Sequence, residues 1–253
     1  PARARARTAA RWRARGARVV RRRGLVIAID GPSGAGKSTA GRVVAARLGY
    51  VFLDTGAMYR ALALKALRSG ADLDDGAAVA ELARAARILL TPEGEVQLDG
   101  DDVTAAIRTR EVSTAASRVS VHPPVRKVLV ALQQAMGREG GIVMDGRDIG
   151  SAVFPDADVK FYVDADARRR ALRRSEELRA AGHVADVEAI AEEIRARDHA
   201  DSTRAESPLT RAKDALHIDT TDLDAEEVVA RMMEAVEDRL AALSHGRAAR
   251  SEA

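Results

Sequence analysis

Gly31-Pro32-Ser33-Gly34-Ala35-Gly36-Lys37-Ser38-Thr39 follows the pattern G-x-x-x-x-G-K-[ST], and its flanks decide the fold. Before it runs the apolar stretch Leu25-Val26-Ile27-Ala28-Ile29, ending in Asp30, which predicts a buried strand. After it, the spacing of Val43, Val44 and Leu48 predicts a helix with these three on one apolar face. A strand, glycine loop and helix in this order hold phosphate, because the glycines let successive backbone N–H groups turn inward and the helix N-terminus adds a positive dipole. Lys37 can reach the outer phosphates, and the Ser38 hydroxyl is the expected Mg²⁺ ligand. The chemistry expected is phosphoryl transfer from a nucleoside triphosphate.

Outward from this loop the strand and helix rhythm continues. Tyr50-Val51-Phe52-Leu53 predicts a second buried strand delivering Asp54-Thr55-Gly56, and Met58, Leu62, Leu64 and Leu67 predict a helix ending at Ser69-Gly70. Another helix is expected over residues 77–87. Ile88-Leu89-Leu90 and Val96-Gln97-Leu98 flank Thr91-Pro92-Glu93-Gly94 as a hairpin, which breaks the rhythm and marks residues 57–125 as an insertion. A helix from Pro123 to Met136 leads to the strand Ile142-Val143-Met144, which presents Asp145-Gly146-Arg147-Asp148. Val159 to Val163 predicts a further strand ending in Asp164. Helices at about 166–180 and 186–200 follow, then a strand at Leu216-His217-Ile218 and a final helix with the capping pair Asp224 and Glu227. Five core strands separated by helices predict an α/β fold, a parallel sheet with helices on both faces, and ligands bind at the carboxyl ends of such strands.

Composition narrows the function. The 253 residues suffice for one large domain or a core with insertions, and no apolar run approaches a membrane span. Cysteine is absent, so disulfides, thiolate zinc sites and cysteine nucleophiles are excluded together. The formal charge of +3 is unevenly placed: residues 1–23 hold ten arginines and no acid, leaving 31 basic against 38 acidic residues elsewhere, a net of −7. An Arg-rich tail over residues 1–24 reads as a disordered extension, with a nucleic-acid arm or a transit peptide as alternatives; residues 243–253 read as a frayed end. Because the remainder is acidic, an RNA-binding role is disfavoured. His122, His183, His199 and His217 lack metal spacing, and no nucleophile elbow supports a serine hydrolase.

Arginine placement is the clue to the acceptor, since guanidinium forks bind phosphate oxygens and offset charge in phosphoryl transfer. Arg60 follows Asp54-Thr55-Gly56 by one turn, Arg147 lies just past a core strand, and Arg168 to Arg170 with Arg173 and Arg174 follow Asp164. Asp30, Asp54 and Asp145 each end an apolar strand. One of them could hold Mg²⁺ through water while others cap helices or pin glycine turns, and spacing does not separate these roles.

Taken together, the P-loop, Asp54-Thr55-Gly56-Ala57-Met58-Tyr59-Arg60, Ile107-Arg108-Thr109-Arg110-Glu111-Val112, Asp145-Gly146-Arg147-Asp148-Ile149-Gly150 and Val153-Phe154-Pro155-Asp156-Ala157 resemble bacterial cytidylate kinases, from about Leu25 to Leu240. The resemblance implies a nucleoside-monophosphate kinase fold: a core of residues 25–56, 126–167 and 201–242, an NMP-binding insertion of residues 57–125, and a lid with flanking helices at residues 168–200. It implies Mg²⁺-dependent transfer from ATP to CMP or dCMP. A cytoplasmic monomer whose partners are small molecules is expected alongside it. By matching position, Thr55, Arg60, Ser117, Arg126, Arg147, Asp148, Arg197, Asp201 and Arg204 would surround the monophosphate. Ser117, Arg126 and Asp148 would read the cytosine, Arg197 and Asp201 hold the sugar, and Arg60 and Arg147 the phosphate. Lys37 and Arg147, with Arg173 and Arg174 from the lid, would act on the transferring group. Another acceptor kinase on this scaffold is the nearest rival. A guanine-nucleotide switch is disfavoured, since its Asn-Lys-x-Asp base reader has no place in a chain without asparagine.

Overall fold

Alternate residues of the first strand, β1 (Val26–Asp30), serve opposite faces of one sheet, and all five are buried. Ile27 and Ile29 belong to an apolar cluster on one face, Val26 and Ala28 to a cluster on the other, which is the period-2 consequence of a strand covered on both sides. The computed structural model describes residues 24–91, 94–180, 182 and 184–251, with side chains to residue 245. The tail of residues 1–23 and His183 therefore lie outside the described residues, as do Pro92 and Glu93 of the expected hairpin turn.

From β1 the chain turns through the P-loop into α1 (Lys37–Leu48), then β2 (Val51–Asp54) and α2 (Thr55–Ser69). Gly49 and Gly70 end these two helices in the left-handed conformation. Next come α3 (Gly76–Ala85) and three short strands, β3 (Ile88–Leu90), β4 (Val96–Leu98) and β5 (Asp101–Asp102), paired antiparallel in that order. The expected hairpin is thus part of a three-stranded sheet. A 3-10 turn (Ala106–Arg108) leads to α4 (Arg110–Val119), and α5 (Pro123–Gly137) begins with its expected proline. The chain returns to the core through β6 (Ile142–Gly146) and β7 (Val159–Asp164). It continues with α6 (Ala167–Ala180), α7 (Val187–Thr203), β8 (Leu216–Asp219) and α8 (Ala225–Ser251).

The core sheet has the order β2-β6-β1-β7-β8, with every neighbouring pair parallel. β1 is central, and its connection leaves toward one edge while β7 and β8 lie toward the other. A crevice opens at such a switch point, beyond the carboxyl ends of the strands. β1 pairs in register with β6 from Val26↔Ile142 to Asp30↔Gly146, and β2 with β6 up to Asp54↔Asp145, so Asp30, Asp54 and Asp145 reach the same edge.

A separate apolar cluster, including Met58, Leu62, Ile107 and Val119, joins α2 to α4 and the small sheet. α5 serves both clusters: Leu129 packs with the insertion, Val130 against the sheet. Asp224 and Glu227 form the expected reciprocal cap, each accepting the other's backbone N–H. Other details depart from the sequence reading: β2, expected as a buried strand, lies at the edge of the sheet with Val51 42% exposed. Val43 is 38% exposed rather than on the buried face, which Ala40, Val44 and Ala45 occupy. α8 runs to Ser251, past the point where fraying was expected. A π-turn, Ile149–Val153, follows Asp148 where no element was expected.

Candidate nucleotide site

The P-loop requires its glycines. A Cβ on Gly31 would lie 1.9 Å from the Val163 carbonyl oxygen of β7, and Gly36 caps α1 at φ 86°, a conformation side chains resist. Lys37 is the first residue of α1, buried at 6% exposure, with Nζ donating to Pro32 O at 2.6 Å. Burial first, and then the Arg147 charge, pull its ammonium down from its ordinary value to about 7, although Asp145 and Asp30 oppose them. Ser38 Oγ donates to Asp145 Oδ2 at 2.5 Å, and Thr55 Oγ1 donates to the Asp145 carbonyl at 2.7 Å.

Hydrogen bonding separates the three aspartates that spacing left alike. Both oxygens of Asp30 are used by the π-turn, accepting from the N–H groups of Ile149 and Gly150 at 2.7 Å each, and burial raises its carboxyl to about 6. Asp54 caps α2 through Ala57 N and pairs with Arg60 Nη2 at 2.8 Å. Asp145 accepts from Ser38 on one oxygen, while its Oδ1 is buried without a hydrogen-bond partner. Burial, and then repulsion from neighbouring Asp54, raise the Asp145 carboxyl to about 7. Of the three, Asp145 alone has an oxygen uncommitted to protein. Among the described residues no cluster of three or more histidine or acidic groups is placed to hold a metal ion. The donor set of one hydroxyl and one carboxylate suits a hard cation that brings its remaining ligands with a nucleotide.

Beyond β6 the arginines meet. Arg126 from α5 is 4% exposed, its Nη2 is paired with Asp148 Oδ2, and its guanidinium lies 5.8 Å from the Tyr59 ring centroid. Arg204 reaches the other oxygen of Asp148 at 3.6 Å and Asp201 at 3.9 Å. Arg147 Nε donates to Asp201 Oδ2 at 2.8 Å. Burial works to raise the Asp201 carboxyl, yet Arg147, Arg197 and Arg204 together hold it below its ordinary value. Arg197 is drawn down to about 10, first by burial and then by the charge of Arg147, with Arg60 adding to it; its Nε is buried without a hydrogen-bond partner. The charges of Lys37 and Arg147 repel each other, as do that of Arg197 and those of Arg147 and Arg60, although Asp54 pairs with Arg60 and Asp201 with Arg147.

Not every expected residue joins them. Arg173 donates to Thr220 Oγ1 at 3.1 Å, to Thr220 O at 2.5 Å and to Leu223 O at 3.4 Å. Arg174 pairs with the exposed Glu177 one turn on, at 2.9 Å. Ser117 Oγ donates within its own helix, to Ser113 O at 3.4 Å. Conversely, Tyr59 and Thr220 had no role assigned from the sequence. Tyr59 stood inside a quoted motif, next to Arg60, and that was the available signal. Nothing local marked Thr220, whose Oγ1 donates to the P-loop carbonyl of Ala35 at 3.1 Å.

Comparison with known proteins follows the same lines. The family model described as "Cytidylate kinase" matches residues 27–238. A protein of Symbiobacterium thermophilum named cytidylate kinase is 52% identical over 215 residues, covering 83% of this chain and 95% of that one. Proteins of the same name from Geobacillus kaustophilus and Geobacter sp. (strain M21) are 50% and 47% identical, over 87% and 88% of this chain and 99% and 97% of theirs.

Proposed function

The chain belongs to the cytidylate kinase family, and we propose that it phosphorylates CMP and dCMP with ATP by in-line transfer between two nucleotides bound head to head. It is accordingly a kinase. The observation that carries the reading is that the buried Lys37 of the P-loop shares one crevice with Arg147, Arg197 and Arg60, where Arg197 Nε is buried without a hydrogen-bond partner and Asp145 keeps one oxygen uncommitted.

On the donor side, the amides of residues 31–39 and the Lys37 ammonium hold the triphosphate. Ser38 and Asp145 fit Mg²⁺, which when bound offsets phosphate charge during transfer. On the acceptor side, Arg60 and Arg147 take the monophosphate, Arg197 and Asp201 the sugar, and Arg126, Asp148 and Ser117 the cytosine edge, with Arg204 bracing Asp148. Thr55 pins the start of α2 to the Asp145 main chain. The attacking monophosphate oxygen is already anionic, so the residues need only align it and offset charge, and no general base is required.

Residues 57–125 act as the acceptor lobe and 168–200 as the lid, closing to keep water from the phosphoryl group. Arg174, held in this structure by an exposed glutamate, is the lid arginine assigned to that group. Arg173 is assigned instead to the Thr220 turn behind Ala35. A monomer working in the cytoplasm is the accompanying expectation.

The test is an ADP-release assay across CMP, dCMP, UMP, AMP and GMP. CMP and dCMP are expected to give the highest kcat/KM; equal turnover with AMP or GMP would refute the acceptor assignment.

A further inference from the structure

A loop whose amides face a phosphate turns its carbonyls the other way, and those carbonyls need donors when buried. Two elements remote in sequence supply them: Ser33 O accepts from Arg170 Nη1 at 3.1 Å, and Ala35 O accepts from Thr220 Oγ1 at 3.1 Å. Arg170 is only 4% exposed and all three of its nitrogens are committed. Its Nε donates to Ala165 O at 2.9 Å and its Nη2 to Asp198 Oδ2 at 2.5 Å. The fit against the loop is close, since a Cβ on Gly34 would lie 3.3 Å from the Cβ of Arg170.

One guanidinium is therefore bonded at once to the P-loop, to the entrance of α6 and to α7. Asp198 has its other oxygen, Oδ1, buried without a hydrogen-bond partner, so Arg170 is the hydrogen-bond anchor of its side chain, while its charge also acts on Arg147 and Arg197. On α7 it follows Arg197 directly and precedes Asp201 by three residues, which puts Asp198 and Asp201 on one face of the helix. A rigid three-way fork of this kind suits a planar guanidinium and not an ammonium.

We propose that Arg170 is a positioning residue that couples the two nucleotide sites. A shift of Ser33 as the loop closes on the triphosphate moves Arg170, Arg170 moves Asp198, and α7 then sets Arg197 and Asp201 for the acceptor. Neither Arg170 nor Asp198 need touch a substrate. This inference rests on the two-nucleotide reading of the site.

The experiment is calorimetric titration of CMP into the full chain, with and without a non-hydrolysable ATP analogue and MgCl2. It compares the unaltered protein, Arg170→Lys, Asp198→Ala and the double variant. The analogue is expected to tighten CMP binding about 5-fold or more in the unaltered protein, and less than about 2-fold in every variant. The double variant should lose no more coupling than either single one, because each breaks the same link. A structural role alone would lower Tm and leave the coupling ratio intact. Should Arg170→Lys fail to fold, Asp198→Ala decides, since that carboxylate is 24% exposed and its removal takes away the acceptor of Arg170 Nη2. Coupling retained in Asp198→Ala, or no coupling in the unaltered protein, overturns the proposal. Failure of the unaltered protein to bind CMP at all would instead overturn the acceptor assignment on which it rests.

Discussion

The Ser38 hydroxyl at the head of α1 and the Asp145 carboxylate at the end of β6 share a 2.5 Å hydrogen bond across 107 residues of sequence. It joins the donor loop to the strand that presents the acceptor arginine, Arg147. Asp145 also carries the uncommitted oxygen, so a substitution there should disturb the metal more than the fold. Asp145→Asn keeps the shape and removes the charge. Mg²⁺ titrations of the rate should show half-saturation raised about 10- to 100-fold, with circular dichroism unchanged. An unaltered Mg²⁺ dependence would remove Asp145 from the metal site.

Lys37 leads to a prediction in protons. Its ammonium is held down to about 7, while a bound triphosphate favours the charged form. Binding must raise the pKa, so a proton is taken up at pH values above the free pKa and below the bound one. Calorimetry of ATP binding at pH 8, in buffers of different ionisation heat, should show net uptake that fades by about pH 6, where the free lysine is already protonated. Lys37→Ala should abolish the uptake and lower kcat about 100- to 1000-fold. Proton release at pH 8, or no exchange, would contradict the site.

Arg126 and Asp148 are a buried pair, 5% and 8% exposed at their side chains, with Arg204 as the second cation on the same carboxylate. Arg126→Ala leaves Asp148 with the longer contact only. Stability should drop by about 3 kcal/mol, at the low end for breaking a buried pair because Arg204 remains. The KM for CMP should rise at least about 10-fold and that for ATP less than about 2-fold, since the contact assigned to the cytosine edge is lost on the acceptor side alone. Equal losses for both nucleotides would move Arg126 out of the acceptor site.

Asp30 should matter to stability and not to specificity. Asp30→Asn presents one donor group where two backbone amides need acceptors, a loss of about 1 to 3 kcal/mol by urea unfolding. The carboxyl titrates near 6 in the folded protein and near its ordinary value of 3.8 when unfolded. Because the folded value is the higher, its contribution is full below 3.8 and is lost as pH rises through about 6. The gap between the original and the variant should therefore narrow from pH 4 to pH 7. A gap that widens would show that the two amide bonds outweigh burial.

The order of elements was legible in the sequence because it rests on local patterning. Fully apolar runs become strands covered on both faces, glycines sit where the backbone turns left-handed, and Asp224 with Glu227 needs only three residues to form its cap. The P-loop and its phosphate chemistry were legible for the same reason, since loop, lysine and helix N-terminus are contiguous. What only the tertiary structure decided are partnerships between distant residues. Three strand-ending aspartates look alike until Asp30 is found on amides 119 and 120 residues away, Asp54 on its own helix, and Asp145 on Ser38. Likewise the arginines of α6 are a single basic run in sequence. Helical rotation aims Arg170 at the P-loop, Arg173 at the Thr220 turn and Arg174 toward solvent, and no spacing rule distinguishes them until the neighbouring elements are in place.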